Sequence, residues 1–202
     1  GKLFNKPDPT GPGKDVYAGC NIDYKGSDVT PQKFLDVLTG TASGKKLGST
    51  SEDNVFVFFS DHGAPGLIAF PNSELHKADL QKALQTMSDK AMFKKLVFYL
   101  ESCESGSMFE DMDIAGVYAV SASSPSESSW GTYCGSDAVV NGVSIGSCLG
   151  DLFSVAWMED SDATDTTQET LTAQYSSVKT RTDKSAVMQW GDKSFVGDMV
   201  SE

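Results

Sequence analysis

The sequence predicts an α/β fold with an open, mostly parallel sheet flanked by helices. Two apolar runs, 55–59 and 96–100, have the continuous hydrophobicity of strands that are buried on both faces. A stretch of helical periodicity lies between them, and crossovers of this kind are right-handed and join parallel strands. His62 follows the first run and Cys103 follows the second. Because ligands of open α/β sheets bind beyond the carboxyl ends of the strands, we expect these two side chains to meet in one crevice.

The opening of the chain predicts no strand. Residues 1–28 are rich in Gly, Pro, Asp and Asn, a composition typical of irregular surface chain. Thr30 and Pro31 are the residue types of an N-cap and a first helical position, and Gly40 is the type that follows a helix end. Residues 40–52 predict a polar loop. Since a doubly wound sheet normally opens with a strand, we expect that the first βα unit is missing from this chain.

The later elements follow from the spacing of apolar residues. In chain order the sequence predicts a strand at 54–59, a helix at about 76–89, strands at 96–101 and 116–120, helices at 149–158 and 165–182, and a short strand around 187–190. The sequence contains no internal repeat and no sign of a second domain. Residues 1–202 are therefore expected to form a single domain that is incomplete at its N-terminus.

Composition and charge argue against several functions. The net charge of −12, from 28 acidic and 16 basic residues, disfavours nucleic-acid binding, because phosphates would be repelled. No apolar stretch approaches the ~20 residues that a membrane span needs. The chain has no C-x-x-C pair and only His62 and His76 as imidazoles, so no metal site and no cofactor are predicted. Cys134 and Cys148 flank a Gly-, Ser- and Asn-rich loop, which favours a disulfide and an oxidising or lysosome-like route.

The position of Cys103 favours a catalytic nucleophile. The residue lies beyond a strand in a segment that is built to turn, although a buried structural cysteine is the alternative. His62 occupies the corresponding place after the neighbouring strand, and a thiol beside an imidazole is a nucleophile with its base. Gly63 permits a tight turn, so the backbone N–H groups of Gly63 and Cys103 could form an oxyanion hole.

Two acids and two serines could line a pocket beside the thiol. Glu101 lies two residues before Cys103, so in extended chain both side chains would face the same side. Together with Asp151 it could bind a polar amide or a cation, and salt-bridged structural acids are the alternative. Ser128 and Ser129 lie on the exit loop of the third strand and could line the same cavity.

Several motifs resemble those of the legumains, the asparaginyl endopeptidases of peptidase clan CD. The resemblance extends over nearly all of the chain and includes segments near 15–19 and 157–161. Segments 130–134 and 148–152 look more like the plant-type members, the vacuolar processing enzymes. The four segments that carry it are Ser60-Asp61-His62-Gly63, Glu101-Ser102-Cys103-Glu104-Ser105-Gly106-Ser107, Glu127-Ser128-Ser129-Trp130-Gly131-Thr132-Tyr133-Cys134 and Cys148-Leu149-Gly150-Asp151-Leu152.

The resemblance implies a caspase-like fold and cleavage after Asn, and less readily after Asp, through an acyl-thioester. Cys103 matches the nucleophile, His62 matches the acid or base, and the amides of Gly63 and Cys103 match the oxyanion donors. Asp61 matches an aspartate that can form a succinimide, and Glu104 an acid beside the nucleophile. The residues that match substrate-binding segments are Glu101, Ser128, Ser129, Trp130, Gly131 and Asp151.

The chain also departs from the family pattern. The family's opening strand carries an Asn that orients the histidine and an Arg-His pair that completes the pocket, and this sequence contains neither. We therefore expect a separate N-terminal segment or a partial sequence. A C-terminal inhibitory pro-region is absent as well, as in a processed form. The resemblance further implies protein or peptide substrates with accessible Asn, a cystatin-type inhibitor, and a lysosomal, vacuolar or extracellular location.

Two other functions stay open at the level of sequence. Some plant-type relatives join peptides instead of hydrolysing them; Gly131 resembles the protease version of one determinant, whereas Ala64-Pro65 resembles the ligase version of another. The missing first strand leaves a third hypothesis, a non-catalytic caspase-like binding module.

Overall fold

A computed structural model describes residues 2–202, which form eleven strands and four α-helices. The strands are β1 (Asn54–Ser60), β2 (Gly63–Ala64), β3 (Leu67–Phe70), β4 (Ser73–His76), β5 (Lys95–Glu101), β6 (Val117–Ser121), β7 (Gly131–Thr132), β8 (Val139–Val140), β9 (Val143–Ser144), β10 (Gly150–Asp151) and β11 (Met188–Gly191). The helices are α1 (Pro31–Leu38), α2 (Lys77–Asp89), α3 (Leu152–Ala163) and α4 (Leu171–Arg181). No helix within residues 2–202 is both long enough and apolar enough to cross a membrane.

The central sheet has the strand order β1-β5-β6-β11. β1, β5 and β6 run parallel, and β11 is antiparallel to β6. This arrangement confirms the predicted open, mostly parallel sheet. Ser60 pairs with Glu101, so β1 and β5 end level with each other and the residues that follow emerge at one edge.

Apolar side chains cover both faces of this sheet. One cluster contains Leu96, Phe98 and Leu100 with residues of α2, and the other contains Tyr99 and Val120 with residues of α3 and α4. The expectation of two strands buried on both faces is correct for β5 but not for all of β1. Phe56 is 54% exposed, since β1 is an edge strand of the described sheet.

The largest difference from the predicted elements lies between β1 and α2. The sequence predicted only a helix there, whereas residues 63–76 form a three-stranded antiparallel sheet, β2-β3-β4, before α2 begins. α3 begins later than predicted because Gly150 and Asp151 pair with β7. α4 begins at Leu171 because the Thr170 hydroxyl accepts the Ala173 amide and caps the helix.

A pair of buried carboxyl groups connects α3 to the segment before α4. Asp160 and Glu169 are each 8% exposed. One oxygen of Asp160 accepts the Ser177 hydroxyl, whereas its Oδ2 has no hydrogen-bond partner in the described part of the chain. Burial raises the pKa of Glu169, and the neighbouring Asp160 carboxyl raises that pKa further. A proton on Glu169 would give Asp160 the hydrogen-bond donor that its Oδ2 lacks.

Replacing Glu169 by Gln is expected to flatten the pH dependence of folding stability. The pKa of Glu169 is raised from its ordinary value of 4.5, so the folded state holds the proton more tightly than the unfolded state. The contribution of Glu169 to the free energy of unfolding is therefore fully present below pH 4.5, the ordinary pKa, and is lost as pH rises through the folded-state pKa. A Gln amide donates to Asp160 at every pH, so Glu169→Gln should gain about 1 kcal/mol near neutral pH.

Thermal unfolding between about pH 4 and pH 7 measures this effect. Glu52→Gln is a matched change at an exposed loop position. It should show the same pH dependence of thermal unfolding as the unaltered protein. A Glu169→Gln profile as steep as that of the unaltered protein would contradict the shared-proton interpretation.

Candidate active site

A cleft of about 400 Å³ opens where β1 and β5 end. It lies at the sheet edge that the sequence predicted, and it brings together residues from four separate segments of the chain. The lining residues are Asp61, His62, Glu101, Cys103, Ser129, Gly131 and Asp151.

Cys103 occupies a turn that is fixed to the neighbouring strand. Its side chain is half-buried and borders the cleft, and Sγ lies 3.8 Å from the carbonyl oxygen of Ser129. The turn is held by Ser123 after β6, whose hydroxyl donates to the carbonyl oxygen of Ser102 at 3.1 Å and accepts the Ser105 amide at 3.1 Å. The thiol thus faces a polar space and lies outside the apolar clusters of the core.

His62 reaches the cleft because the β2–β3 hairpin packs against the Cys103 turn. A Cβ at Gly63 would lie 2.4 Å from the carbonyl oxygen of Cys103, so only glycine allows this approach. The amide of Gly66 donates to the Ser107 hydroxyl at 2.8 Å and ties the hairpin to the same turn. His62 itself is exposed, and its backbone amide donates to the Asp61 carboxylate at 2.6 Å.

Two backbone N–H groups at the Cys103 turn and the hairpin packed against it have no acceptor within residues 2–202. Gly63 pairs with Ile68, and the amide of Ala69 donates to the carbonyl oxygen of His62 at 2.8 Å. Hydrogen-bonded and non-hydrogen-bonded pairs alternate in an antiparallel ladder, so the Gly63 N–H points away from β3. Within residues 2–202 the Cys103 N–H has no acceptor either.

Glu101 is buried at the base of the cleft and bound by the first turn of α3. Its Oε2 accepts the backbone amide of Ser154 at 2.7 Å and the Ser154 hydroxyl at 2.9 Å, whereas Oε1 has no partner in the described part of the chain. Burial raises the pKa of Glu101 to about 7, the charge of Asp151 adds to the rise, and the bonds from Ser154 oppose it. The positive end of the helix dipole favours a carboxylate at this place.

Asp151 enters the cleft from β10. Gly131 pairs with Asp151 across the β7–β10 ladder, which sets this acid beside the exit loop of β6. The Ser60 hydroxyl lies 3.4 Å from the Asp151 carboxylate. Burial raises the pKa of Asp151, while the Ser60 hydroxyl and the charge of His62 lower it.

The profile of the peptidase C13 family matches residues 1–202. The chain belongs to the peptidase C13 family. This match confirms the predicted relationship to the legumain family of cysteine peptidases.

Curated relatives of this C13 chain include mammalian, plant and parasite proteins. Mouse legumain is 47% identical over 202 residues, which cover 96% of this chain and 44% of legumain. A vacuolar-processing enzyme of Citrus sinensis is 45% identical over 206 residues (95% of this chain, 41% of the relative), and the hemoglobinase of Schistosoma japonicum is 44% identical over 198 residues (96% and 44%). The chain thus spans less than half the length of these relatives.

A solved structure supports the fold. Caspase-1 from Spodoptera frugiperda superposes with a TM-score of 0.55 at 13% identity, covering 87% of this chain and 74% of the caspase. This similarity confirms the predicted caspase-like α/β fold. At 13% sequence identity it supports a conclusion about the fold and none about function.

The remaining predicted site residues of this C13 chain lie around the cleft. Ser129 and Gly131 line it, whereas Ser128 and Trp130 are exposed and lie outside its lining, so their predicted binding roles stay predictions. The predicted Cys134–Cys148 disulfide is present and lies directly behind Gly131. Sequence reasoning missed Ser60 and Ser154. Each had one signal, since Ser60 ends an apolar run and Ser154 falls in the first turn of a helix.

Proposed function

We propose that this C13 chain carries the catalytic site of a cysteine endopeptidase that cleaves after Asn, and less readily after Asp. The observation that carries the proposal is the shared cleft, in which Cys103 and His62 lie beside two acids, Glu101 and Asp151. A thiol with an adjacent imidazole supports acyl transfer. The two acids and the Ser129 hydroxyl support recognition of a polar side chain.

The reaction proceeds in two stages. Sγ of Cys103 attacks the backbone carbonyl carbon of the substrate Asn while the thiol proton passes to His62, and the developing oxyanion accepts hydrogen bonds from the Gly63 and Cys103 amides. The C–N bond then breaks, His62 gives a proton to the leaving amine, and an acyl-thioester remains on Cys103. In the second stage water gives its proton to His62 and attacks the thioester, the C–S bond breaks, and the thiol regains its proton.

The polar groups of the cleft suit a carboxamide better than a carboxylate. An Asn side chain offers an N–H donor pair to acids such as Asp151 and a carbonyl oxygen to a donor such as the Ser129 hydroxyl. A substrate Asp would bring its own negative charge close to Glu101 and Asp151 unless it is protonated. Polar matching of this kind rejects analogues that leave buried groups unpaired.

The preference for Asn over Asp is expected to rise with pH. A substrate Asp ionises near pH 4, and Glu101, whose pKa burial raises to about 7, adds negative charge to the cleft as pH rises through that value. Relative to a matched Asn peptide, kcat/KM for an Asp peptide should fall at least about tenfold between pH 4.5 and 7. In Glu101→Gln the part of this fall near pH 7 should vanish, and a ratio that stays constant with pH would contradict the assignment of these acids.

A single peptide assay tests the proposed function. Matched peptides that differ only in Asn, Gln or Asp are incubated with the protein, and the products are identified by intact mass. The proposal expects cleavage after Asn, slower cleavage after Asp and none after Gln. An added nucleophilic peptide separates hydrolysis from ligation, because a joined product would identify a ligase. Labelling of Cys103 by an Asn-based electrophile excludes a non-catalytic binding module, and no labelling or cleavage at all would overturn the proposal.

We further propose a lysosomal or vacuolar setting, or an extracellular one. The similarity to vacuolar-processing enzymes supports this setting, as do the Cys134–Cys148 disulfide and the net charge of −12. An N-terminal segment, a C-terminal pro-region and a cystatin-type inhibitor stay predicted partners.

A further inference from the structure

A polar network outside the cleft holds one of its walls. The Tyr133 hydroxyl donates to Oε1 of Glu159 on α3 at 2.7 Å. The second oxygen of Glu159 is paired with Arg181 at the end of α4. Arg181 also donates to the carbonyl oxygen of Ala156 at 3.1 Å. The network therefore joins the segment after β7 to both helices on that side of the molecule.

The segment from Gly131 to Tyr133 forms one wall of the cleft, the Gly131 wall. Tyr133 follows β7, whose Gly131 lines the cleft and pairs with Asp151. The carbonyl oxygen of Tyr133 accepts the Leu149 amide at 3.1 Å, which continues the pairing away from the cleft. Glu159 lies on the same helix whose first turn binds Glu101 through Ser154. A shift of Tyr133 relative to α3 would therefore move Gly131 relative to the two acids.

Besides its pairing with β10, this wall has two further attachments, one on each side. Behind Gly131 lies the disulfide, because a Cβ at that position would be 3.0 Å from Sγ of Cys148. On the other side, Tyr133 has a φ of 52°, a left-handed conformation that aromatic residues rarely adopt. The bond to Glu159 anchors the side chain of a residue whose backbone conformation is unfavourable.

We propose that Tyr133 is a positioning residue: its hydroxyl, bound to the Glu159–Arg181 pair, holds the Gly131 wall at the distance from Asp151 at which the cleft accepts the side chain before the scissile bond. The inference rests on the proposed function for its consequence in catalysis. Tyr133 itself does not line the cleft. Loss of the Tyr133 hydroxyl should weaken substrate binding and leave the chemical step at Cys103 nearly unchanged.

Tyr133→Phe tests the inference, because it deletes one hydroxyl and keeps the ring. KM for the Asn peptide should rise roughly fivefold with kcat within about twofold of the unaltered value. Amide hydrogen exchange, followed by mass spectrometry, should speed up in peptides covering 129–151 and stay unchanged in α4. Glu159→Gln keeps an acceptor for Tyr133 and should raise KM less than Tyr133→Phe does.

Tyr175→Phe is the matched control. Its hydroxyl donates to the carbonyl oxygen of Val187 at 3.1 Å, so the change removes a comparable bond that does not reach the cleft wall. It should leave KM and exchange over 129–151 as they were. The inference is overturned if Tyr133→Phe leaves both unchanged, if its kcat falls with KM intact, or if Tyr175→Phe raises KM equally.

The two proposals fail separately. Should the unaltered protein not cleave the Asn peptide, the proposed function is contradicted, while the exchange of residues 129–151 in Tyr133→Phe still decides whether the hydroxyl holds the wall.

Discussion

Replacing Cys103 by Ala is expected to abolish cleavage of an Asn peptide, with kcat lowered at least about 10⁴-fold. The methyl group cannot form the acyl-thioester, and no other thiol lines the cleft. Because the side chain is half-buried and Sγ has only a long contact to the Ser129 carbonyl at 3.8 Å, the fold should tolerate the change. The residual rate of the variant and its thermal unfolding, measured together, separate lost chemistry from lost structure.

Cys20 provides the matched control for this variant. It is the other free cysteine of the described residues, exposed and located in the irregular opening segment away from the cleft. Cys20→Ala should keep full activity and full labelling by an Asn-based electrophile, whereas Cys103→Ala should lose both. A Cys103→Ala protein that still cleaved the Asn peptide would refute the assignment of the nucleophile.

The position of the site could be predicted from sequence because it depends on two strong patterns. The runs that became β1 and β5 are long and apolar, and parallel strands joined by a crossover end at the same edge. His62 and Cys103 follow those strands closely, so the sequence places both at the same edge of the sheet, although the packing of the hairpin that brings His62 into the cleft has no local signal. The register of Ser60 against Glu101 confirms the level ends that the prediction assumed.

The short strands could not be predicted, for a physical reason. β2, β7 and β10 have two residues each, too few for any periodicity to be detected. They exist because tertiary contacts hold them, such as the close approach of Gly63 to the Cys103 turn and the disulfide behind Gly131. A pattern that depends on such contacts carries no local signal.

The interaction partners of Glu101 and Asp151 could not be predicted from the sequence for the same reason. Sequence alone left salt-bridged structural acids as an alternative for Glu101. Among the ion pairs of residues 2–202, none includes Glu101 or Asp151. The actual partner of Glu101 is Ser154, far away in sequence, at the start of a helix whose place against β5 no local pattern specifies.

Gly63→Ala is expected to lower kcat/KM about 100-fold, because displacements near 1 Å in a catalytic site have effects of this size. The added Cβ would lie 2.4 Å from the carbonyl oxygen of Cys103 and 2.7 Å from the Ser102 hydroxyl. Backbone on one side or the other must move, so His62 and the Gly63 amide would shift away from the thiol. Both the proton transfer and the oxyanion contact would suffer from the same displacement.

Gly48→Ala is the control for the added methyl group, since nothing lies within 4 Å of its Cβ position. That variant should retain normal activity. Cleavage of the Asn peptide and the rate of covalent labelling of Cys103 are the measurements, and in Gly63→Ala labelling should slow together with cleavage because both need the thiol beside its base. If Gly63→Ala cleaves the Asn peptide and is labelled at near-normal rates, the hairpin can move away from the Cys103 turn without loss of activity. The oxyanion role of the Gly63 amide would then be wrong.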